Sequence, residues 1–222
     1  MPERLPSPDR FDEAVKAFRR RVPMTDAQFD RLDAAAQSHA FKVAGVADAR
    51  LVQETFDAID RAVENGTTFK DFKVDVGAKL EEAWGGEDAP RLETVFRTNV
   101  MTAYNDGRDA IFDHPEVKKA RPFRRFDAVG DSRDCPICEP LDGTILPADD
   151  PFWERHKLPL HPNCRCESVA LSPEEADDEG VDDEAPEAEP PAEGFGTREE
   201  FEPDYSSFSP EVAGVLRDKL DE

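Results

Sequence analysis

The four cysteines of this 222-residue chain all fall between Cys135 and Cys166, and their spacing restricts the fold more than any other feature. The stretch reads Cys135-Pro-Ile-Cys138, then His161-Pro-Asn-Cys164-Arg-Cys166, a C-x2-C-x22-H-x2-C-x-C pattern. Two thiols separated by two residues turn toward one point, and His161 with Cys164 repeats that spacing from a second loop. Thiolate and imidazole donors in a set of four suit a tetrahedral zinc ion best. The spacing therefore predicts one structural Zn2+ held by Cys135, Cys138, His161 and Cys164. Cys166 is an alternate for Cys164, and His156 an alternate for His161. A disulfide reading is weaker. Cys164 and Cys166 are separated by one residue, poor geometry for a bond to each other. Met1-Pro2-Glu3-Arg4 lacks the apolar core of a signal peptide, so reduced thiols are expected.

The chain carries 51 acidic against 28 basic residues, a formal charge of −23. That balance argues against a protein that coats nucleic acid through bulk electrostatics. The excess is local, because residues 172–204 contain 15 acidic side chains and one basic one. Glu, Asp, Pro, Ala and Gly dominate that stretch. It holds too little apolar surface to offset chain entropy and is expected to be a disordered, extended acidic linker. No run of 18 apolar residues occurs, so no membrane span is expected.

Upstream, apolar residues recur at helical spacing. Residues 8–21 are expected to be helical, with Ser7 as cap and Phe11, Val15, Phe18 and Val22 as the apolar series. Thr25 and Gln28 form a capping-box pattern ahead of a second helix carrying Phe29, Leu32, Ala36 and Val43. A third helix is expected over residues 46–64, with Val52, Phe56, Ile59 and Val63 buried and Asn65-Gly66 as its stop. Thr68 and Asp71 open a fourth, bearing Phe72, Val76, Leu80 and Trp84. The fifth and longest covers residues 90–112.

After Asp113 the helical spacing is lost. Residues 122–129 read as a strand with Phe123 and Phe126 inward and Arg124 and Arg125 outward. Residues 141–146 resemble a hairpin turning at Asp142-Gly143. Residues 149–153 read as a loop or one helical turn, and residues 164–171 as a last strand. The fold class is α+β: a helical body, residues 1–112, packed on a small zinc-stapled β-rich module, residues 113–171. The acidic linker, residues 172–204, and a short amphipathic helix within residues 205–222 complete the chain. In that helix Phe208, Val212, Val215, Leu216 and Leu220 form a docking face. A module with so few large apolar side chains has little core of its own, and a structural metal supplies the missing stability.

Two sets of side chains are candidates for partner or DNA contact. Arg97, Tyr104 and Arg108 lie at i, i+7 and i+11 and share one helix face. The competing reading is that the arginines pair with neighbouring carboxylates and Tyr104 packs. Lys118, Lys119, Arg121, Arg124 and Arg125 fall within eight residues free of acidic side chains, with Phe123 and Phe126 interleaved. That pattern suits phosphates; a solvated, charged strand face is the competing reading.

Taken in order, the motifs are Arg97-Thr-Asn99, Tyr104-Asn105-Asp-Gly107-Arg108, Asp131-Ser-Arg-Asp-Cys135-Pro-Ile-Cys138, Leu141-Asp-Gly143-Thr, Asp150-Pro-Phe-Trp153 and Pro159-Leu-His161-Pro-Asn-Cys164-Arg-Cys166. This series resembles the phage Mu F-like minor head proteins, the phage head morphogenesis family. The resemblance spans residues 68–171 and leaves out the acidic stretch and the C-terminal segment. It implies a structural, non-enzymatic protein of a tailed phage or phage-like particle. Such a protein would occupy the host cytoplasm during assembly and the head interior afterwards. Its implied partners are the portal protein, the major capsid or scaffold protein and the packaged DNA, and its implied role is to aid head assembly, packaging or ejection.

Other functions compete. A zinc module that binds nucleic acid is the main alternative. His114-Pro-Glu116 followed by Cys135-x-x-Cys138 imitates the H-x-E…P-C-x-x-C signature of zinc deaminases. Asp134 stands where that signature has proline, however, and His161, Cys164 and Cys166 would have no role. A zinc nuclease needs an open coordination position, which clustered thiolates disfavour. A nucleophilic cysteine with His161 as base is weaker still, since four thiols in one cluster suit a metal better than one reactive sulfur.

Overall fold

A computed structural model of the chain describes residues 11–32, 37, 40–131 and 135–196. Ser7 and the proposed docking face of Phe208, Val212, Val215, Leu216 and Leu220 lie outside the described residues. The described chain divides into two compact units, residues 11–96 and 97–196.

In the first unit the helix signals act where the sequence puts them. Helix α1, Asp12–Arg19, buries Ala14, Val15 and Phe18. Strand β1, Val22–Pro23, comes next, and Thr25 with Gln28 forms the expected capping box of α2, Asp26–Phe29. The second helix does not reach Val43 as its apolar spacing predicts. Instead Ala40–Phe41 forms strand β2, paired in parallel with β1. The Met24 N–H extends that pairing by donating to the Phe41 carbonyl. This pairing puts Phe41 into the core: Phe18 stacks on Phe56 at 4.6 Å, and Phe41 meets Phe56 edge-on at 5.3 Å.

Helix α3, Ala49–Asn65, supplies Phe56. The Asp48 side chain caps its start by accepting from the Arg50 N–H, and Gly66 ends it in the left-handed conformation at φ 67°. A second capping box, Thr68 with Asp71, opens α4, Phe69–Phe72. A π-helical turn, Lys73–Gly77, then leads into α5, Ala78–Ala83. Helix α6, Ala89–Phe112, is the longest element. Its first turns belong to this unit, where Leu92 is buried and Phe96 packs on Phe69 and Phe72. The division between units falls inside α6, between Phe96 and Arg97.

The second unit contains the rest of α6 and the chain from Asp113 to Gly196. Helix α7, Pro115–Ala120, occupies a stretch where no helix was expected. Pro115 sits at its start, a position where a missing N–H costs nothing. Strand β3, Phe123–Asp127, is the centre of an antiparallel sheet, flanked by β4, Ile145–Pro147, and β5, Glu167–Leu171. Alternation along β3 buries Arg124 together with Phe126. The outward placement expected for Arg124 is therefore incorrect. Adjacent residues in a strand cannot share a face, and Arg124 points inward because Asp109 and Asp113 of α6 and its end meet its guanidinium at 3.0 and 2.8 Å.

The expected hairpin over residues 141–146 is also absent. Leu141 ends a 3-10 turn, Glu139–Leu141, Gly143 reverses the chain at φ 77°, and β4 pairs with β3 instead. Helix α8, Phe152–Arg155, is the single helical turn the sequence allowed. Phe126, Leu141, Leu146, Phe152, Trp153 and Leu160 form one core together with Cys138, Cys164 and Cys166.

Residues 172–196 are not the disordered linker that composition predicts. Ser172 and Glu175 form a capping box for helix α9, Pro173–Glu179. Ala176 is fully buried against Ile145 and Leu171. Asp182 exchanges two hydrogen bonds with Ile145, its N–H donating to the Ile145 carbonyl and its carboxylate accepting from the Ile145 N–H. Ala185 and Ala188 pack on the core, and the Ala192 N–H donates to the Leu160 carbonyl. Average hydropathy hides this arrangement, because a few alanines, main-chain bonds and the Asp182 carboxylate hold the segment.

Candidate metal centre

Two tight turns present the donors. In the first, the N–H groups of Cys138 and Glu139 both donate to the Cys135 carbonyl, at 3.0 and 2.9 Å. In the second, the Cys164 N–H donates to the His161 carbonyl at 3.2 Å. Asn163 completes that turn at φ 61°, the one non-glycine left-handed residue among those described. Asparagine is one of the few residues that adopts this conformation readily.

The turns bring the Cys135 sulfur to 3.0 Å and the Cys138 sulfur to 3.4 Å from His161 Nε2. The Cys138 and Cys164 sulfurs are 3.9 Å apart. The donor atoms of Cys135, Cys138 and His161 lie within 4.8 Å of one another, and so do those of Cys138, Cys164 and Cys166. Cys138 is common to both sets. Five donors therefore converge where a tetrahedral ion takes four, and this Cys/His cluster can hold a metal ion. Cys138, Cys164 and Cys166 are buried, Cys135 and His161 partly so, and none of the four thiols is in a disulfide.

The electrostatics fit a site completed by a cation. Clustered thiols resist ionising together. Hydrogen bonds to Cys164 and Cys166 push the Cys138 thiol up, and hydrogen bonds from Cys138 and Cys166 pull Cys164 down. The Cys164 sulfur is also the chief cause that pushes the His161 imidazole up to about 9, with burial opposing. His161 Nδ1 lies 2.7 Å from the Pro162 carbonyl. Donating there leaves Nε2 free to face the sulfurs, the arrangement a metal-bound imidazole uses.

Helix α6 supports both loops through residues that the sequence motifs contain but that charge and thiol chemistry did not single out. Thr98 Oγ1 accepts from the Asn163 N–H at 3.0 Å, which pins the left-handed turn. The Asn105 amide donates to the Cys166 carbonyl at 3.2 Å and to its own helix at Met101. Both residues lie in the Arg97-Thr-Asn and Tyr104-Asn motifs. Their signal is a polar side chain on a buried helical face, one position along from Arg97 and Tyr104. Arg165, inside the second ligand loop, forks onto the Asp131 carboxylate at 2.8 and 2.6 Å.

The alternate His156 is not brought to the cluster. Its ring stacks on Phe152 at 4.2 Å, Nδ1 lies 3.1 Å from the Phe152 carbonyl, and the side chain lines a small cavity of mixed polarity with Asn105, Asp109, Arg124, Trp153 and Leu158 among its walls. His114 and Glu116 of the deaminase-like signature are exposed and belong to neither donor set. Arg108 pairs with Glu167 of β5, the structural fate weighed against a binding role, while Arg97 and Tyr104 are partly buried on the same helix. The basic run is divided. Arg124 is buried, Arg121 meets Glu175 at 2.7 Å, Arg125 meets Glu179 at 2.5 Å, Lys118 is partly buried and Lys119 is exposed.

Comparison with known proteins gives this arrangement a family. The chain is 32% identical over 157 residues to the Mu-like prophage FluMu F protein of Haemophilus influenzae, covering 65% of this chain and 37% of that protein. It is 30% identical over 178 residues to the putative capsid assembly protein F of Escherichia phage Mu, covering 72% of this chain and 40% of that protein. The chain thus spans about two fifths of the length of these relatives. No solved structure matches. The family model described as Phage Mu protein F like protein matches residues 53–169, which include most of α3 through to β5 and all five candidate donors. With more than half of its residues inside that match, the chain belongs to the Phage Mu F-like family.

Proposed function

We propose that this chain is a structural protein of phage head assembly, in which residues 97–196 form a zinc-stapled module that positions docking surfaces. Family membership carries this reading, together with a relative named as a capsid assembly protein. In this role the chain acts in the host cytoplasm while heads assemble and stays in the head interior. There it contacts the portal protein and the major capsid or scaffold protein. No described helix is long and apolar enough to cross a membrane.

Zinc is the ion this donor set favours, since three thiolates with one imidazole, or four thiolates, match its softness and coordination number. Cys135, Cys138, His161 and Cys164 are the proposed ligands, with Cys166 as the alternate. A bound ion would supply neutralising charge and a rigid joint between the two loops. Thr98 and Asn105 orient those loops, and the Pro162 carbonyl fixes the His161 tautomer. The burial of Cys138, Cys164 and Cys166 supports a closed structural site, because a catalytic metal keeps a position open to water.

Co-expression with the portal and capsid proteins of a Mu-like phage head tests this reading. The chain is expected to co-purify with at least one of them and to enter assembled heads. Failure to associate with any head protein, with the chain folded and metal-loaded, contradicts it.

A further inference from the structure

The two faces of the β4-β3-β5 sheet are used differently. One buries Arg124 and Phe126. The other carries Phe123, Arg125, Ile145, Val169 and Leu171, and the acidic helix α9 lies on it through Ala176. From that helix Glu175 reaches Arg121 and Glu179 reaches Arg125. Arg121 also donates to the Ala170 carbonyl, which fixes its guanidinium at the end of the strand. Glu175 and Glu179 are one helical turn apart, so their side chains emerge about 5–6 Å from one another. That spacing is comparable to that of adjacent phosphates along one nucleic-acid strand. Two anions at this spacing, on two arginines preceded by Lys118 and Lys119, reproduce how a phosphate backbone engages a basic surface.

We propose that Arg121 and Arg125, with Lys118 and Lys119 just upstream on α7, form a nucleic-acid backbone site, and that α9 covers the two arginines in cis as a phosphate mimic. The inference goes beyond the head-assembly reading and stands independently of the zinc ligands. Each ion pair is partly exposed, and such pairs are individually weak. The cover persists because the helix is tethered at a high effective concentration beside its target and is anchored by Ala176 against Ile145 and Leu171 and by the hydrogen bonds of Asp182 with Ile145. A sufficiently dense array of phosphates would displace the two carboxylates while leaving that anchor in place. The cover also reconciles a basic run with a chain whose overall charge repels nucleic acid.

The test uses the full-length, metal-loaded protein and a short double-stranded DNA, with binding read by fluorescence anisotropy at low salt. In E175Q/E179Q the two negative charges are removed, while a glutamine at the first of these positions can still complete the Ser172 capping box. The double variant is expected to bind DNA about tenfold or more tightly than wild type, with a steeper loss of affinity as salt is added. E175D/E179D, which keeps both charges, is expected to remain like wild type. Adding K118A/K119A to E175Q/E179Q is expected to abolish the gain. Unchanged DNA affinity in E175Q/E179Q, with circular dichroism and metal content matching wild type, overturns the proposal. So does a gain that survives K118A/K119A undiminished, since the lysines would then be no part of the site.

Discussion

The side-chain amide of Asn105 donates to the main-chain carbonyl of Cys166 at 3.2 Å, which ties the long helix to the segment that carries the last cysteine. The same amide also donates to the Met101 carbonyl, and Asn105 is buried. Replacing it with leucine keeps the bulk and leaves the Cys166 carbonyl without its donor. Asn105→Leu is expected to lose about 1–3 kcal/mol of stability in chemical denaturation. It is also expected to lose metal to a competing chelator about tenfold more readily than wild type. Unchanged metal retention would mean that α6 plays no part in holding the site.

Asn163 gives a second handle on the same loop. Its φ of 61° is accessible to glycine and asparagine but strained for branched residues. Asn163→Val is expected to lower stability by about 1–3 kcal/mol, while Asn163→Gly stays close to wild type. Thermal melts of the two variants side by side check this. Equal melting temperatures would contradict the left-handed turn.

The buried Arg124 makes a third prediction. Its guanidinium bridges Asp109 and Asp113, and removing it leaves the largely buried Asp109 without its cation. Arg124→Met is expected to cost about 3 kcal/mol or more. The double variant R124M/D109N should recover part of that loss, because no buried unpaired charge then remains beside the sheet. A cost in R124M below about 0.5 kcal/mol would place Arg124 among ordinary exposed arginines.

A pH dependence arises from the same cluster. Burial pushes the Asp109 carboxyl from 3.8 up to about 6; Arg124 pulls it down, Asp106 pushes it up, Lys157 pulls it down and Asp113 pushes it up. The folded pKa lies above the unfolded one, so the fold holds this proton more tightly than the unfolded chain does. The stability contributed by protonated Asp109 is full below 3.8 and declines as pH rises toward about 6. Asp109→Asn cannot titrate. The stability of wild type relative to D109N should therefore fall across that window and level off above it. A difference that stays flat across the window would contradict the buried assignment.

The parts of this fold that announce themselves in sequence are those governed by local chemistry. The Thr25 and Thr68 capping boxes, the Gly66 stop and the long helix rest on signals within a few residues. The approach of Cys135, Cys138 and His161 to one another, and of Cys138, Cys164 and Cys166, is legible for a similar reason, since two short turns with donors at fixed spacing leave few ways to place them. Choices made by distant partners are hidden. Arg124 turns inward because Asp109 and Asp113 lie 15 and 11 residues upstream, on α6 and at its end. Ile145 pairs with Arg125 across a tertiary contact, not within its own hairpin. The acidic segment folds because Ala176 finds Ile145 and Leu171, which no composition average registers. His156 is a reasonable alternate ligand by type, but stacking on Phe152 sets its position.

The central claim is that Cys135, Cys138, His161 and Cys164, with Cys166 in reserve, form a closed zinc site that holds residues 97–196 in shape. Elemental analysis of the purified full-length protein tests it most directly, with thiols counted by mass spectrometry under denaturing, metal-free conditions. The expected result is about one zinc per chain and four reduced cysteines, with loss of ordered structure when the zinc is stripped. Protein that is folded with no bound metal, or that weighs two hydrogens less for each oxidised cysteine pair, would contradict it.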